Sequence, residues 1–133
     1  MMFQILVIDD SKSVHAFVQD CLKDYLVKIT RAYDGAQGVA HLSAAHPKPN
    51  LILLDWEMPN LDGPGFLAQI KGDLAPFATP LPVFMMTSRN SPEEIGEMLK
   101  LGAKDYLMKP FTRDILLGKI SDYFPDFGKV HAA

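Results

Sequence analysis

Disulfides, membrane segments and basic surfaces are all missing from this sequence, and each absence removes a class of protein. A single cysteine, Cys21, rules out an internal disulfide, so the fold must stand on packing, and a reducing compartment suits it. No apolar run approaches the roughly 20 residues of a membrane-spanning helix. Met1-Met2-Phe3-Gln4 carries no basic segment and leads directly into an apolar run, so no signal peptide is expected and the chain is placed in the cytoplasm. The formal net charge is −3, whereas a general nucleic-acid surface would be basic; neither nucleic acid nor membrane is expected as a direct partner. Internal repeats and low-complexity stretches are also lacking. What remains is 133 residues, 48% hydrophobic and 22% charged, enough for one domain with a substantial core.

The chain is organised around Leu51-Ile52-Leu53-Leu54-Asp55. A short apolar run closed by turn signals (Pro59, then Asp62-Gly63) reads as a strand buried on both faces, and Asp55 ends it. Four further strands are expected at Phe3–Ile8, Leu26–Ala32, Leu81–Met86 and Asp105–Met108. Between them come helices. The first carries an apolar stripe of Val14, Phe17, Val18, Cys21, Leu22 and Tyr25, in which Cys21 reads as a core residue. The second spans about Ala36 to Ala45, with Ala36, Val39, Ala40 and Ser43 inward and Pro47 and Pro49 ending it. The third buries Phe66, Leu67 and Ile70, and a loop runs from Gly72 to Pro80. Ser91-Pro92-Glu93-Glu94 has the chemistry of a capped helix start, and Gly102 ends that helix. Thr112 caps the last helix, which bears Ile115, Leu116, Ile120 and Tyr123. Five alternating strand–helix units predict a doubly wound, three-layer α/β fold with a parallel sheet.

In such a sheet ligands bind outside the carboxyl ends of the strands. Here those ends carry Asp9-Asp10, Asp55, Thr87 and Lys109. Alone, Asp9-Asp10 would read as an acidic pair favourable at a helix N-terminus; the polar ends of three other strands favour a shared pocket. Three carboxylates in one pocket repel one another, and a hard divalent cation, best Mg2+, relieves that repulsion. Carboxylate, Mg2+, ammonium and hydroxyl together suit phosphoryl transfer, with an aspartate as nucleophile.

With these residues assembled, the sequence resembles the receiver domain of bacterial two-component response regulators, and is similar to the single-domain, chemotaxis-type members. Asp9-Asp10, Asp55 with Met58-Pro59 and Asp62-Gly63, Thr87, Tyr106, and Lys109-Pro110-Phe111 carry the likeness. It implies a flavodoxin-like (βα)5 fold with strand order 2-1-3-4-5, a receiver domain over residues 1–124 and a short tail over 125–133. It implies that Asp55 accepts a phosphoryl group from a sensor histidine kinase or a histidine phosphotransfer protein. Asp10, Asp55 and the main-chain carbonyl of Glu57 would bind Mg2+, with Asp9 acting mostly through water. Lys109 would hold phosphoryl oxygens, with its bond to Pro110 cis. Thr87 and Tyr106 would form the switch that reshapes the surface of helix four, strand five and helix five for an effector protein. The chain would be a monomer or weak dimer, catalysing only its own phosphorylation and dephosphorylation.

Glu57 and Arg89, each two residues beyond a strand-end residue, are expected at the pocket mouth, either as a pair that restricts hydrolytic water or as two solvated side chains. His15 is expected to be a solvated helix residue, and Met85 and Met86 core filler. Other readings stay open. As an alternative, the chain would be a receiver cut from a longer regulator with its own output domain. An aspartate-nucleophile phosphatase of the haloacid dehalogenase type would instead place an Asp-x-Asp after strand one. A nucleotide or flavin binder would need a glycine-rich cradle where Asp9-Asp10-Ser11-Lys12 stands.

Overall fold

The computed structural model describes residues 2–44, 48–71 and 81–127. The Gly72–Pro80 loop and Pro47 lie outside the described residues. Five strands, β1 (Phe3–Ile8), β2 (Val27–Ala32), β3 (Leu51–Asp55), β4 (Val83–Thr87) and β5 (Asp105–Met108), alternate with α1 (Lys12–Cys21), α2 (Gly35–Ala44), α3 (Gly63–Lys71), α4 (Pro92–Lys100) and α5 (Arg113–Tyr123). All strand pairs are parallel, in the order β2-β1-β3-β4-β5, which is the order expected. Among the described residues no helix is long and apolar enough to cross a membrane.

Alternation along the strands divides the core into two layers. Leu6, Ile8, Ile52, Leu54 and Met85 face Leu42, Phe66, Leu67, Ile70 and Met98 of α2, α3 and α4. Ile5, Val7, Leu51, Leu53, Phe84, Met86 and Leu107 face Val18 and Cys21 of α1 and Leu116 and Ile120 of α5. The central strand β3 is buried throughout, which is why its sequence is an unbroken apolar run. Phe127 also joins the core, stacking on Tyr25 at 4.8 Å and meeting Phe3 edge-on.

Local chemistry sets the helix ends. Ser11 Oγ accepts from Val14 N, Ser91 Oγ from Glu94 N and Thr112 Oγ1 from Ile115 N, so each capping hydroxyl satisfies an amide that its helix leaves unpaired. Pro92 occupies the first turn of α4, and Gly102, at φ 108°, lets the chain leave that helix through the left-handed region.

Three expectations need correction. The inner face of α2 is Gly35, Gly38, Val39 and Leu42, whereas Ala36, Ala40 and Ser43 face outward. The glycines mark the buried side because a Cβ on Gly38 would lie 2.5 Å from Ile8 and one on Gly35 2.4 Å from the Leu61 carbonyl. Strand β4 begins two residues later than expected and takes in Thr87, because Thr87 still pairs with Met108 of β5. The apolar stripes of α1 and α5 are narrower than their sequences suggest, leaving Phe17, Ile115 and Tyr123 exposed.

Candidate functional site

Strands β1, β3, β4 and β5 are adjacent and parallel, so residues at their carboxyl ends meet on one rim. Asp9 and Asp10 follow β1, Asp55 and Thr87 end β3 and β4, and Lys109 follows β5. Carboxylate oxygens of Asp9, Asp10 and Asp55 lie within 4.8 Å of one another. Asp9 is fully buried; its Oδ1 accepts from Ser11 N at 2.9 Å and its Oδ2 from Lys109 Nζ at 2.8 Å. The same ammonium donates to Asp55 Oδ1 at 3.1 Å, and the Lys109–Pro110 bond is cis. Gly63 makes the close approach behind Asp55 possible: a Cβ there would lie 2.6 Å from the Asp55 carbonyl.

The charges do not balance. Burial above all, then the neighbouring charge of Asp9, pushes the Asp55 carboxyl up to about 6, against the opposing pull of Lys109. Burial pulls the Lys109 ammonium down, but its hydrogen bond to Asp9 and the charges of Asp55 and Asp9 outweigh that and hold it above its ordinary value. Three clustered carboxylates served by one ammonium form a set of hard oxygen donors with negative charge to spare, and that set fits a small divalent cation.

A cleft of about 210 Å3 opens beside Asp55, lined by Trp56, Glu57, Thr87, Ser88 and Lys109. The buried Thr87 hydroxyl accepts from Arg89 N at 2.9 Å, which leaves its own hydrogen free to donate. Arg89 lies across the mouth. Its guanidinium bonds the Glu57 carboxylate, reaches Glu94 Oε2 of α4 at 2.7 Å and stands 5.9 Å from the Trp56 ring. Tyr106 is more remote, half-buried against the α2–α3–α4 layer with Lys119 Nζ 4.8 Å from its ring. Lys119 is itself held by Asp105 Oδ1 at 2.8 Å.

Two features escaped the sequence reading. His15, expected in solvent, is only 1% exposed, and its Nε2 meets the Asp9 carbonyl at 2.8 Å and the Ala32 carbonyl at 3.2 Å. The spacing His15, Val18, Cys21 and Leu22 places it on the buried face of α1, a signal masked by its polarity. Asn60 donates to Asp34 Oδ2 at 2.6 Å, and Gly35 N to the Leu61 carbonyl at 2.9 Å, lacing the loop after β3 to the one after β2. Asn60 has φ 69°, a left-handed conformation that asparagine tolerates better than most residues.

Known proteins place this arrangement in a family. The family model "Response regulator receiver domain" matches residues 5–121. Protein PilG of Pseudomonas aeruginosa is 35% identical over 129 residues, covering 97% of this chain and 93% of PilG. The chemotaxis response regulator CheY4 of Vibrio cholerae superposes with a TM-score of 0.83 at 29% identity, covering 92% of this chain and 98% of that one. The BeF3-activated receiver domain of DrrB, a response regulator of Thermotoga maritima, superposes with a TM-score of 0.79 at 25% identity over 94% of this chain and 99% of that one. The rim of acidic strand ends around Asp55 and Lys109 is thus found in a chain that belongs to the receiver-domain family of two-component response regulators.

Proposed function

We propose that Asp55 is the phosphoacceptor of a two-component relay, modified by a sensor histidine kinase or a histidine phosphotransfer protein. A carboxylate oxygen of Asp55 attacks the phosphorus of a phosphohistidine, the P–N bond breaks, the imidazole takes the electron pair, and an acyl phosphate remains. Lys109 neutralises charge on the transferring group from its place 3.1 Å from Asp55. Asp10, Asp55 and the Glu57 carbonyl would hold Mg2+, with Asp9 acting through water. Bound there, the cation offsets the carboxylate repulsion and the charge that develops on the phosphoryl oxygens.

Thr87 and Tyr106 form the switch. The phosphoryl group brings about two negative charges and strong acceptor oxygens, and the free hydrogen of the Thr87 hydroxyl is a donor for one of them. Movement of Thr87 opens space for Tyr106 and alters the α4–β5–α5 surface, where an effector protein binds. This is a shift between existing populations, driven by tighter interaction with one of them. Arg89 and Glu57 close the mouth and slow the water that hydrolyses the acyl phosphate. The chain works in the cytoplasm as a self-modifying signal carrier, of the kind found in chemotaxis.

One observation carries this reading: a buried strand-end carboxylate faces an ammonium and two further carboxylates within reach of a single cation. The DrrB receiver, activated by BeF3, is a precedent for the phosphoryl mimic as a probe. Treatment with a small phosphodonor and Mg2+ is expected to add one PO3H (about 80 Da) to the peptide containing Asp55. Asp55→Ala is expected to stay folded and take up none. Label on that variant would move the acceptor elsewhere, and steady turnover of a phosphate ester would favour a phosphatase.

A further inference from the structure

We propose that His15 is a positioning residue for the Asp9-Asp10 pair, acting on the main chain through Nε2; the inference rests on the reading that this pair binds a divalent cation. Nε2 faces two carbonyl oxygens, of Asp9 at 2.8 Å and of Ala32 at 3.2 Å. Neither oxygen can donate, so Nε2 carries the hydrogen. Among the described residues the buried Nδ1 has no hydrogen-bond partner, so within them the ring meets polar groups through Nε2. Packing against Tyr33, with ring centroids 4.7 Å apart, fixes its plane.

The position of this contact gives it leverage. Asp9 N already donates to the Ala32 carbonyl at 3.0 Å, so His15 closes a three-way junction between the end of β1, the end of β2 and the first turns of α1. The Asp9 carbonyl also belongs to the peptide group that leads into Asp10. Asp9's own carboxylate is held independently by Ser11 N and Lys109. The Asp10 side chain is exposed and makes no hydrogen bond or ion pair among the described residues, so the tilt of that peptide sets where its carboxylate points. Loss of the Nε2 donor frees the tilt and spreads the Asp10 carboxylate over several directions.

The test compares two replacements of similar length, His15→Gln, which keeps an N–H donor, and His15→Met, which has none. Mg2+ affinity is read from the fluorescence of Trp56, the single tryptophan, alongside circular dichroism and a thermal melt without Mg2+. His15→Met is expected to bind Mg2+ about tenfold more weakly, and His15→Gln to recover most of the loss, even where the two melt alike. A merely structural role would move the melt and leave affinity among folded molecules unchanged. Nitrogen NMR of the His15 ring in the unsubstituted protein is expected to show the hydrogen on Nε2 and a bare Nδ1. A folded His15→Met with parental Mg2+ affinity, or a hydrogen on Nδ1 alone, overturns the role of His15. If His15→Met fails to fold, the smaller donor-free His15→Ala takes its place: Mg2+ binding by it that is weaker than that of His15→Gln supports the role, and equal binding by the two overturns it. A parent protein that binds no Mg2+ at all overturns the cation reading of the whole site, a separate and distinguishable failure.

Discussion

At Asp55, burial and the charge of Asp9 both oppose ionisation, and Lys109 offsets them only in part, so the carboxyl sits near 6 instead of its usual 3.8. A carboxyl raised on folding contributes its full stability below its unfolded value, and that contribution is lost as pH rises through the folded value. At neutral pH without divalent cations the ionised side chain is therefore a net burden. Asp55→Asn should stabilise the cation-free protein at pH 7.5 by on the order of 2–3 kcal/mol, and the gain should shrink towards zero near pH 4; urea unfolding in a chelator at several pH values checks this. A flat difference across pH would mean that Asp55 ionises freely. Glu57 and Arg89 offer a second test at this scale. Single charge reversals, Glu57→Arg or Arg89→Glu, should speed loss of the phosphoryl group severalfold, and the double exchange should restore part of the lifetime, as followed by phosphate release. Three variants that all decay at the parental rate would leave the pair without a kinetic role. Exposed ion pairs contribute little to stability, so the effect belongs to kinetics.

Glycine placement decides how the elements fit together. On α2, a Cβ at Gly38 would meet Ile8 Cδ1 at 2.5 Å and Phe66 at 3.0 Å; on α4, one at Gly96 would meet nothing within 4 Å. The same substitution should therefore act in opposite directions. Gly38→Ala should cost about 1–3 kcal/mol by overpacking against β1 and α3. Gly96→Ala should add about 0.5–1 kcal/mol, because alanine loses less freedom in a helix. Thermal or denaturant unfolding of the pair measures both. Equal effects would mean that α2 lies further from the sheet than described. The link between Asn60 and Asp34 belongs to this scale as well. Backbone hydrogen bonding from Gln37, then the Asn60 amide, holds the Asp34 carboxyl below its ordinary range, so its share of stability is present above that ordinary value and is lost on strong acidification.

Over the whole molecule, the parallel order of β1, β3, β4 and β5 converts residues far apart in sequence into neighbours; Lys109 contacts Asp9 across 100 positions of chain. A change of charge at that rim faces the loops that follow four strands at once, and the sheet behind it is too well packed to yield gradually. The two-state switch proposed above would draw on that packing. Lys109 is the cation that ties β5 to the carboxylates of β1 and β3. Lys109→Ala should still take up Mg2+, seen as a Trp56 response, yet fail to gain effector binding after phosphorylation. A variant that captures its partner as the parent does would remove Lys109 from the switch.

The sequence alone determined the five strand–helix units, the caps at Ser91 and Thr112 and the set of strand-end residues, because each of these is written in local periodicity and turn chemistry. Regular alternation also pointed to a parallel sheet with helices on both faces, whereas the strand order β2-β1-β3-β4-β5 was implied only by the family resemblance and is shown by the structure. Only tertiary packing decided which face of α2 turns inward, since alanines and glycines give almost no hydrophobic contrast and the choice rests on where a Cβ fits. Packing also decided the fate of His15, whose polarity suggested solvent. Two main-chain carbonyls, donated by strands that meet only in the folded sheet, satisfy one of its ring nitrogens inside the protein, and no local pattern could announce partners that distant.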